Sequence, residues 1–266
     1  MEIRRELIDR LRKWQAREDR KPVLLKGARQ TGKTWIMREF GKKSFDHVAE
    51  FNFDRTEELA EVFNRTKEIR RIINDLALFS SVPIIPDKTL IILDEIQECE
   101  GALNSLKYFC EEAPEYHIIA AGSLLGVSIK KRRMSVPVGK VEIMNMRPVS
   151  FKEFLHTTDK KIHDFVDAIS RIEPLPKLIF NRLHEEYRRY QLCGGMPEAA
   201  VSLLDNRGMD RVEDVLQNIL NLYTLDFSKY ADTVQIARIN NIWNSLPSQL
   251  AKENRILRSS RRQRKG

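Results

Sequence analysis

Residues 27–34, Gly27-Ala28-Arg29-Gln30-Thr31-Gly32-Lys33-Thr34, constrain the fold more than any other stretch of this chain. They satisfy the spacing G-x-x-x-x-G-K-[ST] at every fixed position. The apolar run PVLLKGA precedes them, and an amphipathic segment follows that reads as a helix from Thr34 to Phe40, stopped by Gly41. Glycines let the main chain turn until successive N–H groups face inward as an anion nest. The helix that starts at the loop points its positive dipole end at the same place. Lys33 is then placed to reach the β- and γ-phosphates of a nucleotide, and the Thr34 hydroxyl to ligate Mg²⁺. A loop of this kind needs a strand before it and a helix after it, which directs the chain toward an α/β sheet.

A second segment fits the first. LIILDEIQ, residues 90–97, is a continuous apolar run that ends in Asp94 and Glu95, as expected of a strand buried on both faces. The carboxyl ends of such strands are where open α/β sheets bind ligands. Asp94 is the candidate for the Mg²⁺ shell. Glu95 is the candidate to orient and polarise the water that attacks a γ-phosphate. The sequence contains no guanine-reading N-K-x-D, which favours ATP as the nucleotide.

Strands and helices alternate through the first 150 residues. Residues 1–21 read as an amphipathic helix, HVAEFNFD as a second strand, and 56–80 as a helical stretch. A helix near 101–113, a strand HIIAAGSLL and a fifth strand KVEIMNM follow. The pattern predicts a parallel sheet with helices on both faces. SFKEFL then carries a capping box, Ser150 with Glu153, and beyond about 156 only helical periodicity is found. The expected organisation is an α/β domain over 1–155, a helical lid region over 156–254 and a basic, disordered tail over 255–266.

Composition narrows the class. The net charge of +8 is concentrated in the last twelve residues, which hold six basic side chains and no acid, leaving +2 for the other 254. The tail either docks on phosphate backbones or is a disordered terminus. No apolar run approaches the ~18 residues of a membrane span, and the first twenty residues are too charged for a secretory signal. Three dispersed cysteines and five scattered histidines form neither a disulfide framework nor a metal-ligand spacing. The cytoplasm is the expected location.

The segments KGARQTGKT, LIILDEIQ, AAGSLLG, VPVGK, RPVSFKEFL and YQLCGGMPEA occur in the order found in the prokaryotic AAA-like ATPases that join a P-loop domain to a C-terminal domain of unknown function, and the chain resembles that family from about residue 1 to about 254. The resemblance implies an AAA+-type core with a five-stranded parallel sheet, followed by helical lid segments. It implies ATP and Mg²⁺ as ligands, Ser123 as a sensor of the γ-phosphate, and an arginine supplied in trans if copies assemble as a ring. Arg132, Arg133 and Arg147 are the candidates for that arginine. Against these stand plainer readings: Ser123 as a serine ending a strand, and residues 130–133 as a solvated loop. Where the family has arginine in VPVGK this chain has Lys140, a point charge instead of a planar fork. CGGMPEA reads as a helix break and restart, a hinge for the lid. Relatives continue past the end of this chain, so RILRSSRRQRKG is expected to be a truncated or out-of-frame end.

The expected function is Mg²⁺-dependent ATP hydrolysis coupled to a core–lid movement. Two other readings remain open: a regulatory or defence-type switch that binds ATP without hydrolysing it, and a DNA-associated ATPase with a helix-turn-helix-like element in residues 231–254.

Overall fold

The computed structural model describes residues 2–122, 137, 139–171, 173–230 and 233–250. It divides into two compact units, Met1–Val212 and Glu213–Gly266.

The first unit is built on a five-stranded, all-parallel sheet: β1 (Val23–Lys26), β2 (His47–Asn52), β3 (Thr89–Asp94), β4 (His117–Gly122) and β5 (Glu142–Asn145), in the spatial order β2-β3-β4-β1-β5. Helices α1 (Glu6–Gln15) and α2 (Lys33–Ser44) cover one face, while α3 (Glu58–Arg65), α4 (Ile69–Phe79) and α5 (Glu100–Glu112) cover the other. The alternation of side chains along a strand accounts for the three layers. Ile91 and Leu93 of β3 join the core beneath α3–α5, whereas Leu90 and Ile92 join the core beneath α1 and α2. Ile118 and Ala120 of β4 divide from Ile119 and Ala121 in the same way. Both faces are dry, which is why these strands read as unbroken apolar runs.

After β5 the described chain is helical: α6 (Phe151–Thr158), α7 (Lys160–Asp167), α8 (Lys177–Cys193) and α9 (Pro197–Leu204). The Ser150–Glu153 capping box forms as expected, with both reciprocal bonds present. Gly194 and Gly195 take φ of 57° and 72° to end α8, and Pro197 occupies the first turn of α9. The second unit contains most of α10 (Met209–Tyr230) and all of α11 (Thr233–Leu250), where Trp243 packs on Tyr223 and Phe227.

Four expectations about elements need correction. Gly41 does not stop α2, which runs on to Ser44. A Cβ there would lie 2.7 Å from Val48 Cγ2 and 3.1 Å from Leu90 Cδ2, so glycine serves close helix–sheet approach. Residues 56–80 form two helices, because the chain becomes extended at Thr66 and Glu68, and the Glu68 N–H bonds the Thr66 hydroxyl at 3.1 Å. The N-terminal helix covers only Glu6–Gln15 of the first 21 residues. Of the stretch 231–254 expected to hold a helix-turn-helix-like element, residues 233–250 make one continuous helix with Pro247 inside it and no turn, and the rest lies outside the described residues.

At the amino end of β4, His117 is buried between the rings of Trp14 and Phe45, with centroids 5.7 and 4.9 Å away. Burial, aided by the Arg20 cation and opposed by Asp87, pushes its imidazole down to about 4. The folded state therefore favours the neutral ring. Its contribution is complete above pH 6.5 and is lost as the pH falls from 6.5 toward 4, by about 3 kcal/mol in all. Chemical denaturation between pH 7.5 and 4 should show this slope in the wild type, and His117→Phe should flatten it.

Candidate functional site

The strand order brings the two acid- and loop-bearing segments to one rim. β4 lies between β1 and β3, with Lys26 paired to Gly122 and Leu93 to Ala120, so the carboxyl ends of all three strands are aligned. The loop 27–34 leaves β1 at that rim, and Asp94 ends β3 there.

Gly27 is held against β5. Met146 N–H bonds the Lys26 carbonyl at 2.6 Å, and a Cβ on Gly27 would run into the Met146 carbonyl oxygen and lie 3.0 Å from its Cβ. Gly32, the residue before α2, has φ of 91° and ψ of 29°, a left-handed conformation that favours glycine. Gln30 also has positive φ, at 61°. Thr31 is fully buried and its hydroxyl donates to the Ala28 carbonyl at 2.9 Å. The Lys33 ammonium turns back over the loop, donating to the carbonyls of Gly27 at 2.9 Å and Ala28 at 2.8 Å. Burial lowers its pKa, opposed by the Glu95 and Asp94 carboxylates.

Across the rim the Thr34 hydroxyl donates to Asp94 Oδ2 at 2.7 Å, while Asp94 Oδ1 accepts the Glu95 N–H at 3.0 Å. Asp94 is buried. Glu95 adopts a left-handed conformation, φ 51° and ψ 42°, and Gln97 Nε2 donates to its Oε2 at 2.5 Å. The structure thus brings Gly27–Thr34, Asp94 and Glu95 together. Ser123 follows β4 directly but lies outside the described residues, as do Arg132 and Arg133. Arg147 follows β5 with an exposed side chain, and Lys140 forms a 2.7 Å ion pair with Glu111 of α5.

Other residues at the site carry no motif. A cavity of about 530 Å³ opens beside Gly32, walled by Ile3 and Arg5 of the N-terminal segment, Trp35 of α2, Val149, and Pro197 and Val201 of α9. Its volume suits a small-molecule group, and its walls are mainly apolar with a few polar edges. The Gly-Gly-x-Pro break after α8 is the sequence signal for one wall. The isolated Ile3, Arg5 and Trp35 give none.

The AAA domain family matches residues 19–155, and the chain belongs to that family. A domain of unknown function (DUF8612) matches residues 184–261. No curated protein matches the chain. Among solved structures it is similar to a Walker-type ATPase of Pyrococcus abyssi, with 17% identity over 91% of this chain and 78% of that one and a TM-score of 0.49. The Aeropyrum pernix ORC2 protein gives 14% identity over 82% and 68%, with a TM-score of 0.44. The Thermotoga maritima RuvB Holliday junction branch migration motor gives 15% identity over 81% and 69%, with a TM-score of 0.40. No helix among the described residues is long and apolar enough to cross a membrane.

The contact at Gly27 yields a direct test. Gly27→Ala forces its new methyl group onto the Met146 carbonyl of β5, at a cost on the order of 1–3 kcal/mol. A melting temperature several degrees below wild type is the expected result.

Proposed function

We propose that this chain binds ATP with Mg²⁺ through loop 27–34, hydrolyses it, and couples nucleotide state to movement of the helices that follow the sheet. The observation that carries this reading is the junction of Lys33, Thr34 and Asp94, in which an ammonium group, a hydroxyl and a carboxylate from two strand ends share one rim. The Thr34 hydroxyl and Asp94 carboxylate are hard oxygen donors 2.7 Å apart, a set that fits Mg²⁺ completed by phosphate oxygens and water. When bound there, Mg²⁺ neutralises charge on the β- and γ-phosphates.

The protein's own residues supply the rest. The amides of residues 27–34 and the α2 dipole receive the phosphates. Lys33 exchanges its loop carbonyls for phosphate oxygens. Glu95, oriented by Gln97, polarises water for in-line attack on the γ-phosphate, releasing ADP and phosphate. The apolar cavity beside Gly32 takes the base, which puts Trp35 on one side and Pro197 of α9 on another. A nucleotide seated there touches both the loop and the lid helix, so its loss frees α9 to move about the Gly194–Gly195 turn. Ser123 reads the γ-phosphate from the end of β4. In a ring of copies, Arg132, Arg133 or Arg147 reaches the neighbour's phosphates. The cytoplasm suits the three free thiols of Cys99, Cys110 and Cys193.

Two substitutions decide the reading. Lys33→Ala removes a charge-assisted donor and should weaken ATP binding about tenfold or more in calorimetric titration. Glu95→Gln should keep the affinity and lower single-turnover hydrolysis by about 10²–10⁴. Equal ATP affinity in wild type and Lys33→Ala would sink phosphate binding by the loop, and unchanged hydrolysis in Glu95→Gln would reassign the base.

A further inference from the structure

Arg5 lies far from the loop in sequence, yet its guanidinium is buried against it. Its three nitrogens take three separate partners. Nε donates to Glu153 Oε1 at 3.1 Å, Nη1 to the Thr31 carbonyl at 3.3 Å, and Nη2 to the Arg147 carbonyl at 2.5 Å. Glu153 is itself fully engaged: its Oε1 also accepts the Glu6 N–H at 2.8 Å and its Oε2 the Ser150 N–H at 2.8 Å. One side chain therefore joins the N-terminal segment, the phosphate loop, the turn after β5 and the first turn of α6.

The bond to Thr31 bears on the loop's chemistry. In a trans peptide the carbonyl oxygen and the next residue's N–H point in opposite directions. A carbonyl fixed toward Arg5 fixes the Gly32 N–H toward the other side. Gly32 is the residue most free to swing this plane, since its left-handed conformation carries no Cβ penalty. Without a partner for the Thr31 carbonyl, the plane can rotate and turn the amide away from an anion.

We infer that Arg5 is a positioning residue for triphosphate binding: by holding the Thr31 carbonyl it aims the Gly32 N–H at the phosphates, and through Glu153 and the Arg147 carbonyl it ties that amide to the cap of the first lid helix. This rests on the reading of loop 27–34 as the phosphate site. The effect runs through the hydrogen bond and not through the field of the guanidinium, because the Glu153 carboxylate beside it compensates the charge.

The test uses inorganic tripolyphosphate, which has no base and so does not report on the wall that Arg5 gives to the cavity beside Gly32. Arg5→Lys keeps a cation beside Glu153, but a single ammonium cannot replace three nitrogens aimed at three acceptors. It should weaken tripolyphosphate about tenfold, as expected when one preorganised donor is lost. Glu153→Gln retains Arg5 and its bonds to Thr31 and Arg147. It should lower the melting temperature, and tripolyphosphate should bind no more weakly than to wild type, because the Thr31 bond is kept and the Arg5 cation loses its counter-charge. Tripolyphosphate affinity unchanged in folded Arg5→Lys, or lost equally in Glu153→Gln, overturns the inference. In the wild type the Gly32 amide proton should move downfield when tripolyphosphate binds. An unmoved Gly32 amide overturns the inference even if Arg5→Lys fails to fold. A wild type that binds neither tripolyphosphate nor ATP defeats the parent reading of the loop instead.

Discussion

The hydrogen bond from the Thr34 hydroxyl to Asp94, 2.7 Å long, joins residues sixty positions apart. It can form only if the strands ending at Lys26 and Asp94 run parallel with their carboxyl ends level, and if exactly one strand, β4, separates them. Every other feature of the site inherits that arrangement. Lys33 sits one residue before Thr34, and Glu95 one residue after Asp94. Moving β4 elsewhere in the sheet would leave each motif intact and the site unassembled.

Around this junction the molecule uses backbone contacts that tolerate little change. Met146 of the β5 turn presses on Gly27, and Arg5 spans from the N-terminal segment to Thr31, Arg147 and Glu153. A buried ion pair adds little net stability compared with an apolar replacement, but removing one partner is costly, so it fixes geometry more than it adds energy. At the opposite, amino end of the sheet the core is held by aromatic packing around Trp14, Phe40, Phe45 and a neutral His117.

Where the sequence misled about an element, the cause was a tertiary contact at Gly41 and a local one at Thr66. Gly41 looks like a helix stop because glycine is common there. In the fold it is a contact point between α2 and the sheet, and local pattern carries no record of Val48 or Leu90. The stretch 56–80 keeps one helical period across a break that a threonine hydroxyl secures at Glu68. Within the stretch 231–254, which reads as helix-turn-helix-like, residues 233–250 continue as one helix through Pro247. The capping box at Ser150 was legible because its donors and acceptors all lie within four residues.

The sequence by itself determined the phosphate-loop spacing at 27–34, the acids at the end of β3, the apolar strands and the helical character of the described chain after β5. Those features depend on residue types at short spacing, which a chain displays without folding. Only the tertiary structure decided which strand separates β1 from β3, that Arg5 reaches the Thr31 carbonyl, and that Trp35 and Pro197 wall one cavity with Gly32. These are meetings between segments far apart along the chain. Their selection lies in packing of the two core layers, where no single local pattern specifies the partner.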